Sequence, residues 1–427
     1  MEPPARPVPG LGRALRHRNY RLFIAGQTVS LCGSWITSVA TAWMVYRLTS
    51  SAFLLGVVGF ASQAPTAILA PIAGVWVDRW DRHRVLLVTQ AAAMLQSAAL
   101  AVFALTGLMT VGHLIVLGAL QGVINAFDVP ARQSFVVQMI DDRADLANAI
   151  ALNSSMVNGT RLIGPSLAGL LIGAVGEGWC FAIDAISYVA VIASLLAMRI
   201  TPLPPRPRRA SVWHELADGV RYVRSTPLIF AVLSMLALAS LLGMPYATLM
   251  PAFAVERLGG GAHTLGFLVG ASGLGALTAA LYLAGRRSVV GLGSVLARAA
   301  AAFGVALVTL AFVRSPWVAA PVLFLAGAGM MLQLAGTNTI VQTLVDEDKR
   351  GRVMSLYTLA FFGATPIGAL IGGAMAKTLG THVAIGVGGG ACVIAAIVFR
   401  AALPALRTVS RPLYVAKGLL PPPAGPG

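Results

Sequence analysis

Long apolar runs, separated by short polar turns, dominate this chain. Twelve of them recur, at roughly 19–46, 53–77, 85–106, 111–138, 146–175, 178–198, 226–254, 263–285, 291–313, 317–344, 352–377 and 382–400. Each is long enough to cross a hydrocarbon core of about 30 Å. Barrel strands run to about 9–11 residues with strict alternation, and these segments are too long and too uniformly apolar for that. The pattern therefore predicts an all-α integral membrane protein of twelve transmembrane helices.

One stretch breaks the pattern. TPLPPRPRRA, from Thr201, cannot span a bilayer, and SVWHELADGVRYVRS follows it. In the second stretch Trp213, Leu216, Ala217, Val220 and Val223 fall at helical spacing, with Glu215, Asp218, Arg221 and Arg224 elsewhere. That spacing predicts an amphipathic helix lying on a membrane interface. The joint divides the chain into an N-terminal arm (1–18), a six-helix bundle (19–198), a linker (199–225), a second six-helix bundle (226–400) and a Pro-rich tail (401–427).

The halves echo each other. VVQMIDDRADLANAIALN (136–153) leads to GPSLAG (164–169), as IVQTLVDEDKRGRVMSLY (340–357) leads to TPIGAL (365–370). LLGVVGFAS (54–62) likewise answers TLGFLVGAS (264–272). Two related halves suit a transporter that rocks about one central site.

Composition agrees. Charged residues make up 11% of the chain and mean hydropathy is +0.80, against roughly 25% charged residues in soluble domains. The net charge of +16 would suggest a nucleic-acid partner were it spread over one surface. Instead 26 of the 31 basic residues sit in or beside the termini and alternate loops, the exceptions being Arg47, Arg161, Arg257, Arg314 and Lys377. That is the positive-inside bias, which puts both termini in the cytoplasm and gives the basicity an orienting role, with no nucleic-acid partner. No cleavable signal peptide is evident. Cys32, Cys180 and Cys392 have no motif spacing and read as buried thiols.

The stretch GVWVDRWDRHR (74–84) gathers five charges between the second and third spans. With Gly74, Asp78, Arg79, Arg82 and Arg84 it resembles the signature loop of the major facilitator superfamily. Asp81 stands where a glycine is commonest, a departure shared with the drug- and siderophore-exporter branch that includes the enterobactin exporters. LRHRNYRLFIAGQTVSLCGSWI (15–36), NAFDVPARQSFV (125–136), NAIALNSS (148–155) and KRGRVMSLYTLAFFGATPIGAL (349–370) look like the same branch, so the resemblance covers nearly the whole chain. It implies the major facilitator fold. It also implies that Asp78 latches the cytoplasmic face near Arg352 at the start of span eleven, with the loop arginines pairing to Asp128 or to lipid phosphates. The matching loop of the second half, LAGRRSVVGLG (283–293), has no acid. Gly164, Pro165 and Gly169 resemble the superfamily's antiporter motif, with Ala168 in place of a glycine, and imply export.

Charges inside the spans mark candidate chemistry, since each costs at least about 2.5–3.5 kcal/mol near the bilayer centre. Arg161 lies near the middle of span five and Asp184 two turns into span six. Asp128 and Arg132, four apart on span four, share a helix face and are expected to pair. An aspartate would exchange protons with the substrate step, while Arg161 binds an anionic substrate group or tunes that aspartate. Static pairs that fix helix packing are the alternative. Polar positions at helical spacing mark a chamber face: Gln27, Ser30, Ser34, Ser38 and Thr41 beside Trp35, then Gln63, Thr66, Asn125, Asn153 and Asn158. From the second half come Tyr246, Gln333, Asn338, Gln342, Tyr357 and Thr358. Such a mixed polar and aromatic chamber suits a bulky amphiphile.

No GxxxxGK[ST] loop is present, and the six histidines are scattered. The sequence thus points away from an enzyme and a bound cofactor. It points to a monomeric, proton-gradient-driven exporter of a small amphipathic compound (siderophore, antibiotic or drug) in the cell inner membrane. Uptake of a metabolite or lipid, a membrane-embedded enzyme and a non-transporting scaffold are the alternatives.

Overall fold

The computed structural model describes residues 12–77, 79–140, 142, 145–200, 212–286 and 288–421. Among them there is helix and no strand. A 3₁₀ turn, Arg13–Arg16, opens the chain. The first half contains α1 (Arg18–Thr49), α2 (Ala52–Val77), α3 (Arg82–Leu105), α4 (Val111–Phe135), α5 (Leu146–Val175) and α6 (Glu177–Leu196). The linker contributes α7 (Val212–Ser225). The second half contains α8 (Pro227–Leu238), α9 (Pro245–Glu256), α10 (Ala262–Ala284), α11 (Leu292–Phe312), α12 (Pro316–Leu344), α13 (Glu347–Thr358), α14 (Ala364–Leu379) and α15 (Thr381–Ala416).

Single π-helical turns, Ala239–Gly243 and Leu359–Gly363, join α8 to α9 and α13 to α14. With each pair taken as one span, eleven helical segments among the described residues are long and apolar enough to cross a membrane. Helix α5 makes the twelfth. Its 30 residues reach about 45 Å at 1.5 Å per residue, although Arg161 and several polar residues interrupt its apolar run.

Local chemistry sets the boundaries. Asp81 caps α3 by accepting from the N–H groups of His83 (2.9 Å) and Arg84 (3.3 Å). Thr110 and His113 form a capping box on α4. Gly176 and Gly380, at φ 81° and 90°, end α5 and α14 in a conformation that favours glycine. At its other end α15 outruns the sequence reading. It continues past Arg400, through Pro404 and Pro412, to Ala416. The expected TPLPPRPRRA linker and the last six residues of the tail fall outside the described residues.

Helices α1–α6 pack as one bundle and α8–α15 as the other. The chain repeat is visible in how each bundle is tied at the face bearing the termini. The arm before α1 docks on the start of α5: the Ala14 N–H donates to Asn148 Oδ1 (2.9 Å), and Arg13 and His17 reach Asp145 at 3.0 and 3.2 Å. Helix α7, which precedes α8, docks on the start of α13. Arg352 meets Asp218 at 3.2 Å, Tyr222 donates to Asp346 at 3.4 Å, and Lys417 meets Asp346 at 2.9 Å. The amphipathic helix thus covers the second bundle, with its own Val223 buried against it.

Two seams join the bundles, α5 with α10 and α2 with α14. On the first, a Cβ at Gly169 would lie 2.6 Å from the Cα of Gly266, and one at Gly270 would lie 2.3 Å from Ser166 Oγ. On the second, a Cβ at Gly56 would lie 2.4 Å from the Ala369 carbonyl and 3.2 Å from the Cα of Gly373. Small residues let these backbones touch. Both close contacts lie towards the face opposite the termini.

Towards the terminal face the same stripes separate. On α5 the stripe that meets α10 through Gly169, Ser166 and Leu162 continues to Gly159, where a Cβ would meet nothing within 4 Å, and to exposed Ser155 and Ala151. Along the second seam the continuation is the exposed set Phe362 and Leu359 in the π turn and Ser355 and Gly351 on α13. The bundles close at the far face and diverge at the terminal face.

Candidate functional site

Arg161 stands where the bundles begin to part. Its guanidinium lies over the Trp35 ring, 5.7 Å from the centroid, and interacts electrostatically with Tyr246 across the seam. Gly164, one turn along α5, makes this possible: a Cβ there would lie 2.4 Å from Trp35 Cβ, so α5 rests directly on α1. Tyr246, just after the first π turn, is held by its hydroxyl against Ser272 Oγ (3.0 Å) and by its ring against Phe303. Arg161 is half-buried, and among the described residues no carboxylate pairs with it. A guanidinium on an aromatic face keeps its donors in the ring plane available. The arrangement can therefore receive an anionic, planar or aromatic group.

Pro165 and Gly169 lie on the same seam. The Pro165 carbonyl is 3.1 Å from where a Gly266 Cβ would be, so the antiporter-like stretch forms the contact that closes the far face.

The other intramembrane charges lie elsewhere. Asp128 and Arg132 pair at 3.6 Å, and Asp128 Oδ1 also accepts from Thr89 (3.0 Å) and Gln90 (2.7 Å) on α3. Asp184 is buried in the seam of α1, α3 and α6, where its Oδ2 accepts from Ser97 at 2.7 Å. Helix α1 separates it from Arg161. Gly33 faces Asp184, while Trp35, two residues on and nearly opposite, faces Arg161. The four candidate charges thus occupy three places, and of them Arg161 alone lies between the bundles.

The polar chamber positions also divide. Ser34 turns into the first bundle, bonded to Tyr188 Oη (3.1 Å) and the Ser30 carbonyl (3.1 Å), and Gln27 is buried. Gln63 donates to the Gly59 carbonyl at 3.4 Å, and Asn125 accepts from Gln121 at 3.1 Å, both half-buried. Asn153 Oδ1 is buried without a partner. The side chain of Asn158 lies outside the described set. Asn338 accepts from Gln342 on an exposed face of α12, and Tyr357 donates to the Leu334 carbonyl at 3.2 Å. Gln333 is fully buried in the second bundle with neither side-chain polar atom bonded, as is the Thr337 hydroxyl on the same face of α12.

In the loop after α2, Asp78 lies outside the described residues, so the expected latch at Arg352 does too. Arg352 is bonded to Asp218 here. Asp81 caps α3 and lies 3.8 Å from Arg84, which gives the departure from glycine a structural role. Gly74 borders open space, Arg79 is exposed, and Arg82 is half-buried. Trp76, Trp80 and Phe127 cluster beside the loop with centroids 5.6–6.4 Å apart, Trp80 and Phe127 stacked and Trp76 tilted against both.

Two cross-bundle contacts at the far face were not foreseen. Tyr46 donates to Glu256 Oε1 at 2.9 Å, joining the ends of α1 and α9, and Lys377 sits 5.5 Å above the Phe53 ring. Arg47 meets Glu177 at 2.7 Å close by. The chain repeat that matches Gly56 with Gly266 also matches Tyr46 with Glu256, a signal that could have located this clasp. Another missed feature is the buried stripe Thr89, Gln90, Gln96 and Ser97 on α3, visible as helical spacing of polar residues.

Comparison with known proteins agrees with this architecture. Residues 13–415 match the family model described as transmembrane secretion effector. The chain is 26% identical over 357 residues to the staphyloferrin A transporter of Staphylococcus aureus (strain NCTC 8325 / PS 47), covering 82% of this chain and 88% of that one. It is also 26% identical over 361 residues to the multidrug efflux pump Tap of Mycolicibacterium fortuitum, covering 82% and 87%. Among solved structures, a bacterial homologue of the iron transporter ferroportin superposes with a TM-score of 0.69 at 18% identity, covering 90% of this chain and 98% of that one. The chain belongs to the transmembrane secretion effector family and is a multi-pass membrane protein, a secondary transporter of the major facilitator type acting on a small molecule.

Proposed function

We propose that this transporter exports a small amphipathic compound bearing an anionic group, in exchange for protons, from a site centred on Arg161. The observation that carries the reading is the Arg161 guanidinium lying over Trp35 between the bundles without a carboxylate partner among the described residues. An unpaired charge in a half-buried, low-dielectric site is costly, and an anion supplied by a ligand offsets that cost. Trp35 and Tyr246 supply aromatic surface for the rest of the molecule.

The positive-inside bias supports cytoplasmic termini, in an inner-membrane protein. The open face is then the cytoplasmic one, where an exporter loads its cargo. Siderophores with carboxylate groups fit the site's chemistry, as do anionic antibiotics; the names of the similar proteins, a siderophore transporter and a drug efflux pump, support both. The test is accumulation in an efflux-deficient bacterial host across carboxylate siderophores and anionic, neutral and cationic drugs, repeated in everted vesicles with and without a proton gradient. Gradient-dependent transport of anionic amphiphiles, lost in Arg161→Ala, is expected. Selective transport of cations, or transport indifferent to the gradient, overturns the reading.

A further inference from the structure

Four carboxylates are buried among the described residues, and three face a cation. Asp128 faces Arg132, Asp145 faces Arg13 and His17, and Glu177 faces Arg47. Asp184, at 1% exposure the most deeply buried, faces none. Ser97 donates to it at 2.7 Å and the Ser187 hydroxyl lies 3.4 Å away. Thr37 Oγ1 sits beside it, outside hydrogen-bond geometry.

Hydroxyl neighbours differ from a cationic partner in one respect. They donate to a carboxylate and, after rotation, accept from a carboxyl, so they serve Asp184 with or without its proton. An arginine would hold it ionised. A buried carboxylate without a counter-charge carries a large desolvation cost, which a proton removes.

Polar groups lie between this position and the terminal face. Tyr188, one turn from Asp184 on α6, holds Ser34 and interacts electrostatically with Asp184 and with the Asp128–Arg132 pair. Arg132 is partly exposed. The fold does not impose this polarity. The matching seam of the second bundle, where α11 packs on α15, is apolar, with Phe303, Leu307, Leu310, Cys392 and Ala396 buried.

We propose that Asp184 is the group that takes up and releases the transported proton, in the seam of α1, α3 and α6, without touching the substrate. The proposal rests on the proton-exchange reading above and assigns its proton site. Helix α1 is the connection. A Cβ at Gly33 would lie 2.5 Å from Asp184 Oδ1, so α1 rests directly on the carboxyl, and its opposite face carries Trp35 under Arg161. A change of charge at Asp184 therefore acts on the helix that supports the substrate site. Few other charged or titratable groups surround it. Cys180 and Tyr188 lie one turn away on α6 and Asp128–Arg132 beyond, while α1 turns Gly33 and Thr37 towards it and α3 turns Ser97, the adjacent Gln96 donating to the Leu117 carbonyl on α4.

The test uses the purified full chain in lipid, with protons as the ligand. Infrared difference spectra between acid and alkaline buffer should contain a protonated-carboxyl band that Asp184→Asn lacks. Ser97→Ala, which removes a donor to the carboxylate, should move that band's midpoint. Distances between spin labels at positions 155 and 277, across the terminal face, should respond to pH in the wild type and in Asp184→Glu but not in Asp184→Asn. A wild type whose distances ignore pH sinks the proton-exchange reading itself. A wild-type response and a titrating band that both survive in Asp184→Asn sink this inference alone. Should Asp184→Asn fail to fold, an unmoved midpoint in Ser97→Ala overturns it.

Discussion

Gly169 and Gly266 meet backbone to backbone, with 2.6 Å between the Cα of one and the place a Cβ would take on the other. Gly373 and Gly56 repeat the contact on the second seam, where a Cβ at Gly373 would lie 3.1 Å from the Cα of Gly56. Two matched pairs hold the far face shut, and neither can accept a side chain without the helices moving apart. Gly169→Leu should therefore hold the far face open, lowering transport at least about tenfold at normal expression, as should Gly373→Leu. Labelling of cysteines placed at Val175 and His263 should rise correspondingly. Normal transport by either variant would show that this packing is dispensable.

The Tyr46–Glu256 hydrogen bond is a second element of that closure, between the ends of α1 and α9. A hydrogen bond to a charged group contributes about 1.5–3 kcal/mol, less here because Glu256 is exposed. Tyr46→Phe should shift the balance towards the far-face-open state by roughly three- to tenfold. The measure is the labelling rate at the same outer positions, with thermal stability as the control for folding.

Arg161 and Asp145 should separate function from stability. Arg161→Met removes a charge that has no carboxylate partner among the described residues, and should abolish transport while leaving Tm unchanged or raised. Arg161→Lys should retain only part of the activity, because an ammonium cannot stack flat on Trp35.

Asp145→Ala should do the reverse. It removes the carboxylate that Arg13 and His17 reach on α5, and with it the tether of the arm, at a cost of about 1–3 kcal/mol. The expected result is a lower Tm with transport per folded molecule nearly unchanged.

Gln333→Met is expected to raise Tm. Both polar atoms of Gln333 are buried without a hydrogen bond, and an apolar side chain of similar length removes that penalty. Thermal unfolding of the purified variant in detergent measures it, and a fall in Tm would mean that the amide holds a polar partner.

How much of this the sequence could foretell depends on whether a feature lies along one helix or between helices. The apolar runs locate the helices, and the four-residue spacing of Asp128 and Arg132 locates their pair. The small residues of GPSLAG are legible as a packing motif. Periodicity says which residues share a face, but not which neighbour that face meets. The stripe of Gln27, Ser30 and Ser34 reads as a chamber wall, yet Ser34 is bonded to Tyr188 on α6. The contact of Arg161 with Trp35 likewise depends on how α5 is rotated against α1, which neither segment encodes alone. At the chain's end, Pro404 and Pro412 suggest that α15 stops, but it continues to Ala416, where Lys417 reaches Asp346.

Two label pairs, read by spin–spin distance in the full chain in lipid, test the account most directly. One spans the terminal face, positions 155 and 277; the other spans the far face, positions 175 and 263. As pH or substrate is varied, the first distance should shorten whenever the second lengthens, each sampling two populations. Distances that rise and fall together, or a terminal-face pair that never closes, would contradict two bundles alternating about a common centre.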